Sequence, residues 1–486
     1  MASVLISGAG PIGLTMANEL TRYGIPVRIV DKEPQRTDKS KALVLWSRTL
    51  ELLEHGGYVE PFLKAGMQGH GVQISDGTNI VASARLDIMD TPYPYALLIA
   101  QSETERVLEE CLAKRGVKVE RRVTMESFAE KGAGIEAVLR KADGSSETVQ
   151  ADWLLGCDGA HSTTRHGLGF AFEGSTMDSD WVLADIHVTG LDPQDHLHIF
   201  WHRDGILAFF PITPGRWRVI GDLGPATSNG HRADPTLEEI QALIAHRGNA
   251  GIKASDPIWL SAFRINERKV KEYSRGRIFL SGDAAHIHSP AGGQGMNTGM
   301  QDAFNLSWKL NLVINGIAKP SLLDSYSVER SAVGDMVLRN AGAMTEAAIT
   351  RNPLVQKLRN TIVKFALGFP QIGHIVADTM SELNIGYPVS PLTVAGSPHA
   401  HGVKPGTRWP ESLPADTSKS LFAAIGPADA VADLAAKFPK LVVAAAASKH
   451  ADPRDLILVR PDGYVGFAGA ASDRAGAEAY LRGIIA

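Results

Sequence analysis

Cysteine is scarce: Cys111 and Cys157 are the only two in 486 residues. They make neither a disulfide framework nor a CxxC pair, which excludes a cystine-stapled secreted scaffold and a dithiol redox centre. Long apolar runs are also missing. The longest near the C-terminus, "LVVAAAA" at 441–447, falls far short of the ~20 residues a membrane span needs. Neither sign of charge dominates: 49 Lys and Arg stand against 53 Asp and Glu, a net charge of −4. The short basic stretches "ERRV" (120–123) and "RINERKVK" (264–271) do not build a nucleic-acid face. No basic segment followed by an apolar one opens the sequence, so we expect no signal peptide and a cytoplasmic setting. What remains, at 44% hydrophobic and 21% charged residues, is an ordinary globular composition for a chain of several domains.

Glycine is abundant and clustered. Residues 4–31, "VLISGAGPIGLTMANELTRYGIPVRIVD", read as strand, tight turn, helix and strand. In the turn "GAGPIG", Gly8 permits the bend, Gly10 leaves room for a pyrophosphate beside the backbone, and Gly13 lets the helix approach the sheet. Pro11 falls where the helix begins, and the helix N-terminus offers free N–H groups to phosphates. Asp31, at the end of the second strand, is placed to accept hydrogen bonds from a ribose diol. An acid there disfavours a 2′-phosphate, which suits FAD or NAD better than NADP. The bland alternative is a chance glycine-rich turn. No second GxGxxG follows, since "GAGIEA" (132–137) lacks the third glycine.

Two later segments bear on which dinucleotide is bound. "LLGCDGAHSTTR" (154–165) carries Asp158 at a strand end. "GRIFLSGDAAHIHSPAGGQGMNTGMQDAFNLSWKL" (276–310) delivers Asp283 at another, then a glycine-rich loop over 290–297, then a helix from about Thr298 with Ala303, Leu306, Leu310 and Ile314 on one side. Asp283 supplies a second carboxylate for the hydroxyls of an extended ligand. The loop can lay backbone N–H groups against a flat ring, and the helix points its positive end at that loop. A reduced flavin, negative around N1 and O2, needs such donors, each commonly worth about 2–4 kcal/mol. Against this stands the reading of Asp283 as a turn residue in a plain loop.

These motifs, with "SRTLELL" (47–53), "QSETERVLEECL" (101–112), "LLDSYSVER" (322–330) and "LILVRPDGYVGF" (456–467), give a chain that resembles the single-component class A flavoprotein aromatic hydroxylases. The resemblance is strongest to the phenol and polyketide hydroxylase branch that includes pentachlorophenol monooxygenase. It implies an α/β fold: a Rossmann-like FAD-binding domain with an inserted mixed β-sheet substrate domain and a small C-terminal thioredoxin-like α/β domain. We expect the FAD domain over 1–70, 98–178 and 270–330, and the β-rich substrate domain over 71–97 and 179–269. A helical segment is expected over 331–386, a linker over 387–410, and the thioredoxin-like domain, lacking CxxC, over 411–486.

The resemblance also implies site residues. Asp31 holds the adenosine ribose; Arg48 and Gln101 contact the phosphate–ribityl region. Asp158 belongs to a motif used for both FAD and nicotinamide. Asp283 binds pyrophosphate or ribityl oxygens, and Pro290 lines the ring near the reacting carbon. Gly295, Met296 and Asn297 donate to the isoalloxazine. Lys41 stands where relatives carry Arg, keeping the charge but losing the bidentate fork. The implied reaction uses FAD, NADPH or NADH, and O2 to hydroxylate a phenolic or polyketide-type aromatic through a C4a-hydroperoxyflavin. Baeyer–Villiger or epoxidising oxidation on the same scaffold, and a non-catalytic FAD-binding redox sensor, are the alternatives. A halogenase is disfavoured because "GRWRVIG" is not its W-x-W-x-I-P segment.

Other residues invite functional readings. Trp46, Phe209 and Phe210 could line an aromatic pocket, although buried aromatics commonly serve the core. His196, His198 and His202 lack a carboxylate or thiolate at matching spacing, so we expect no metal. His286 is read as a packing or loop residue in preference to an acid–base catalyst, and Glu329–Arg330 as members of structural ion pairs. Expected partners are a small aromatic substrate, O2 and a second copy of the chain, with no nucleic acid and no membrane.

Overall fold

The first two apolar runs of the chain lie side by side: Val4–Ser7 pairs in parallel with Val27–Asp31 on one flank and Trp153–Gly156 on the other. The structure, a computed structural model, describes residues 3–77, 79–226, 232–366, 369–413 and 416–486. It is a mixed α/β fold. The first sheet has six strands in the order Ser274–Arg275, Ile278–Leu280, Trp153–Gly156, Val4–Ser7, Val27–Asp31, Glu120–Arg121, parallel except at the first pair. Its central strands are buried throughout, which is why they read as unbroken apolar runs. The helices Pro11–Arg22 and Gly295–Ile314 pack against each other. The second of these is buried from Met296 to Leu312, including polar residues that must therefore find partners.

A second sheet has seven strands, ordered Lys253–Phe263, Ser179–Thr189, Arg216–Pro225, Gly205–Thr213, His196–His202, Gly71–Ser75, Ile80–Arg85. Alternation divides its faces. Val182, Ala184, Ile186, Phe209, Trp217 and Val219 form a core with Ile240 and Ile244 of the helix Leu237–Arg247. Phe210, Arg218 and Ile220 belong to the other face.

A third sheet, of five strands, closes the chain. Phe422–Ile425, the helix Ala428–Lys437 and Val442–Ala444 make a parallel unit, and the hairpin Asp455–Val459/Val465–Ala470 adds antiparallel strands. Residues 387–410, expected to be a linker, are instead built into this sheet. Val394–Ala395 pairs in parallel with Phe467 and Ala468, and Arg408 bridges to Tyr464. Pro and Gly are common there because the segment runs along a sheet edge in short bends. Among the described residues, no helix is long and apolar enough to cross a membrane.

The third sheet is locked to the rest by buried charge. Glu329 accepts from Lys309 Nζ at 2.7 Å and from both terminal nitrogens of Arg460 at 2.6 and 2.9 Å; Arg460 also pairs with Asp462 at 2.6 Å. Two cations and two anions balance. Burial alone would raise the Glu329 pKa, but Arg460 and Lys309 hold the carboxyl well below its ordinary range. Glu329 and Arg330 thus do form structural ion pairs, Arg330 with Asp302 at 2.6 Å.

A second buried acid, Glu382, has the opposite character. It accepts from Thr298 Oγ1 at 2.7 Å and from Gln301 Nε2, with burial pushing its pKa up to about 7.

Removing the charge of Glu329 leaves Lys309 and Arg460 partly unpaired in the interior. We expect Glu329→Gln to cost about 3–5 kcal/mol in chemical denaturation. For Glu382 the sign is reversed. Its folded pKa lies above the ordinary 4.5, so the stability its proton confers is full below pH 4.5 and is lost as pH rises through about 7. The melting temperature of Glu382→Gln should therefore gain on the wild type across that interval; a pH-independent difference would contradict this.

Candidate active site

The glycine turn closes as its sequence demands. Gly8 has φ +99°, and a Cβ on Gly13 would come within 1.9 Å of the Gly8 carbonyl oxygen. A Cβ on Gly10, by contrast, would meet nothing within 4 Å, so the backbone there borders open space. The first intrahelical bond runs from Leu14 N–H to Gly10 O. The amides of Ile12 and Gly13 therefore precede the helical ladder and are directed out of the helix end. Asp31 accepts the Ala9 N–H at 2.6 Å and the Glu33 N–H at 2.8 Å.

Asp283 sits in the 3-10 turn Gly282–Ala284 that follows Ile278–Leu280. That turn is held from below by Asp302 of the long helix. One Asp302 oxygen accepts the Gly282 N–H and lies 2.9 Å from His286 Nε2; the other accepts from Arg330 Nε. Burial would raise the Asp302 pKa, but Arg330 and His286 keep it low. Asp283 itself is exposed and lines the cleft. Desolvation raises its pKa, against the lowering pull of His286 and Lys41.

The glycine-rich loop is a short 3-10 turn, Ala291–Gly293, and the long helix starts at Gly295, three residues before the expected Thr298. Asn297 latches this loop. Its Nδ2 donates to Val44 O and Gly293 O, and its Oδ1 accepts the Trp46 N–H. Trp46 Nε1 in turn donates to Gly292 O at 2.9 Å.

Between these elements and the seven-stranded sheet lies a cleft of about 430 Å³. The structure brings together Gly10, Pro11, Lys41, Gln101, Asp283, Pro290, Gly295 and Met296 around it, with Phe210 on the sheet side. Gly8, Gly13 and Asp31 stand behind the wall and shape the turn.

Four expectations are corrected. Arg48 is wholly buried, paired with Glu51 at 2.8 Å and donating to Asp462 O at 2.6 Å; its guanidinium docks the C-terminal hairpin and does not reach the cleft. The Asp158 carboxylate is occupied by Ser162 Oγ and by Thr164 N–H and Oγ1, so it secures its own turn. Phe209 packs in the sheet core against Phe200 and Trp217. Trp46 is buried and braces the loop from behind. The Asn297 side chain is engaged within the protein, so a donor from Asn297 is its backbone N–H, which precedes the helical ladder.

Residues not singled out beforehand also line the cleft, among them Lys39, Arg218, Ile220 and His288. Arg218 makes a bidentate pair with Asp185 at 2.7 Å and donates to Lys41 O at 2.9 Å, tying the sheet to the dinucleotide side. His288 is pushed down to about 4, by burial and then by His286, so it is neutral; its buried Nε2 has no protein partner. The histidines of "HLHIFWH" separate. His196 pairs with Asp195 and His198 with Pro193 O, while His202 joins Asp204 and His246 in a hydrogen-bonded cluster in which the His202 Nδ1 already accepts the Asp204 N–H.

Two helix N-termini, two lysines and one exposed carboxylate thus face one elongated space, with open room at Gly10 and an unpartnered His288 nitrogen. This donor set fits an extended dinucleotide ending in a planar ring. The comparisons agree. Residues 1–341 match the family described as "FAD binding domain". The chain is 36% identical to 6-methylpretetramide 4-monooxygenase of Streptomyces rimosus, over 83% of this chain and 73% of that protein. It is 32% identical to the 12-dehydrotetracycline 5-monooxygenase/anhydrotetracycline 6-monooxygenase of Streptomyces rimosus subsp. rimosus, over 95% and 94%. Among solved structures, CabE, an aromatic hydroxylase from angucycline biosynthesis, superposes with a TM-score of 0.80 at 28% identity, covering 100% of both chains. By motif, fold and similarity, the chain belongs to the FAD-binding flavoprotein monooxygenases that hydroxylate aromatic compounds.

Proposed function

We propose that this enzyme hydroxylates a phenolic or polyketide-type aromatic held between the dinucleotide side of the cleft and the seven-stranded sheet. The observation that carries the reading is the single cleft in which Gly10, Asp283 and Gly295 face Phe210 and Ile220. In this reading the discontinuous FAD domain and the β-rich domain supply the two walls. The βαβ unit, hairpin and final helix of the C-terminus form a thioredoxin-like domain with a structural task, and the enzyme works in the cytoplasm.

Bound there, FAD would supply electrons taken from NADH or NADPH and the activation of O2. The protein's own residues position and shield. Lys39, Lys41 and the N-terminus of Pro11–Arg22 neutralise phosphates. Asp283 orients hydroxyls of the same ligand. The first amides of Gly295–Ile314 meet the electronegative edge of the ring, where preorganised donors act without reorganising. Phe210, Ile220 and Leu43 keep water from the reacting carbon. His288, neutral and with a free nitrogen at the loop, is placed to exchange a hydrogen bond with the ring or the substrate.

Relatives named for 6-methylpretetramide and anhydrotetracycline support a multi-ring aromatic, and one named for pentachlorophenol keeps single-ring phenols in the panel. The test is turnover of FAD-loaded enzyme with a panel of electron-rich phenols and polyketide-type aromatics under 18O2. A product gaining one labelled hydroxyl oxygen is expected; a ring-expanded lactone would establish Baeyer–Villiger oxidation instead. NAD(P)H left unconsumed with every aromatic would favour the sensor. Asp283→Ala should weaken FAD retention by about 10–100-fold, the loss expected for hydrogen bonds to a charged group. Stoichiometric FAD after gel filtration would remove Asp283 from the site.

A further inference from the structure

The helix Pro353–Ala366 is mounted with its apolar side outward. Its polar side holds the body: Gln356 Nε2 donates to Thr350 O and Arg203 O, and Arg359 donates to Ala347 O and lies 4.3 Å over the Trp201 ring. Asn352 caps the first turn through the Leu354 and Val355 N–H groups. On the other side Leu354, Leu358, Ile362 and Phe365 are 79, 60, 55 and 70% exposed. At helical spacing these four fall on one narrow stripe. An exposed apolar stripe of this kind marks a surface that something covers.

Charge identifies what covers it. From Ala347 to Ala377 the chain has no Asp or Glu, but it has Arg351, Lys357, Arg359 and Lys364. Lys357 and Lys364, one heptad apart, border the stripe on one flank. A second copy of this chain laid along the stripe would bring lysines against lysines, whereas an anionic bilayer pairs them with headgroups. The next helix, Pro370–Met380, leaves Ile375 exposed. Its inner side meets the cleft wall: Ala377 and Met380 belong to the apolar cluster containing Leu43, Trp46 and Phe210, and the Thr379 carbonyl accepts from Gln294.

We propose that Pro353–Ala366 is an interfacial helix that seats the enzyme on an anionic lipid surface, with Leu354, Leu358, Ile362 and Phe365 in the acyl boundary and Lys357 and Lys364 among the headgroups. The inference is independent of the reaction assigned above, and it replaces the expectation of no membrane contact. The helix lies in the interface and does not span it. Seated this way, the enzyme places the helix pair between a lipid layer and the cleft, a short route for an apolar aromatic that partitions into lipid.

The test is flotation of the full-length, FAD-loaded enzyme with vesicles of phosphatidylcholine and phosphatidylglycerol (3:1). We expect association that weakens by about tenfold on pure phosphatidylcholine vesicles and by about a hundredfold in the double variant Leu358→Glu/Phe365→Glu. Unchanged FAD content and melting temperature confirm that this variant is folded, since both side chains are solvent-facing. Failure of the wild type to float with the anionic vesicles, or equal flotation of the variant, overturns the proposal. So does a concentration-dependent dimer in sedimentation that the double variant abolishes, because the stripe would then belong to a second copy.

Discussion

Asp302, a carboxylate without access to water, joins four segments around the base of the cleft. It takes hydrogen bonds from the Gly282 amide and the Arg330 guanidinium, with His286 against the same oxygen as Gly282. Arg330 extends the tie to Thr298 O and the Tyr387 hydroxyl. A buried anion is tolerated only with such full pairing, and its loss would strand the Arg330 charge inside the protein. The geometric result is that the backbone on one side of Asp283 is immobilised while its own carboxylate stays free to face a ligand. The tyrosine contact carries the same constraint toward the C-terminal region.

The sheet side of the cleft rests on a different principle. Phe210 and Ile220 face the cleft while Phe209 and Val219, one residue earlier on each strand, face the core. A slip of one residue would exchange the two sets. Arg218 helps hold the register: its fork on Asp185 spans adjacent strands, and its remaining nitrogen reaches across to Lys41 O. The walls of the cleft are therefore coupled by one side chain.

What was legible in the sequence was local. The turn around Gly8 and Gly13, and Asp283 at a strand end, depend on contacts within a few residues or on backbone angles that only glycine adopts readily. What was not legible depended on distant partners. Arg48 finds Asp462, more than four hundred residues away, and nothing near "SRTLELL" announces it. Asp158 sits in a motif that suggests a ligand, yet its oxygens are taken by Ser162 and Thr164, a capping pattern that the spacing itself contains. Trp46 and Phe209 look alike in sequence to Phe210; only strand register and the Asn297 latch separate them. Residues 387–410 have a linker's composition, and their pairing with 465–468 could not be read before the C-terminal sheet was assembled. Over 331–386 only a helical segment was expected; the outward stripe of Pro353–Ala366 was not read from it, because which side faces the body depends on distant partners such as Arg203 and Trp201.

The insertion of Arg460 beneath the long helix also bears on how the chain can be divided. The match to the FAD-binding family ends at residue 341, which invites treating the remainder as an appendage. Yet Arg48, Lys309 and Glu329 of the matched part are completed by Arg460 and Asp462. A fragment cut before the last sheet would open Glu329 and Lys309 to water along the same rod whose far tip shapes the flavin loop. The two parts thus share one buried ion-pair cluster, and shuffling the tail between homologues would succeed only where the donor sequence brings its own arginine and aspartate to that joint.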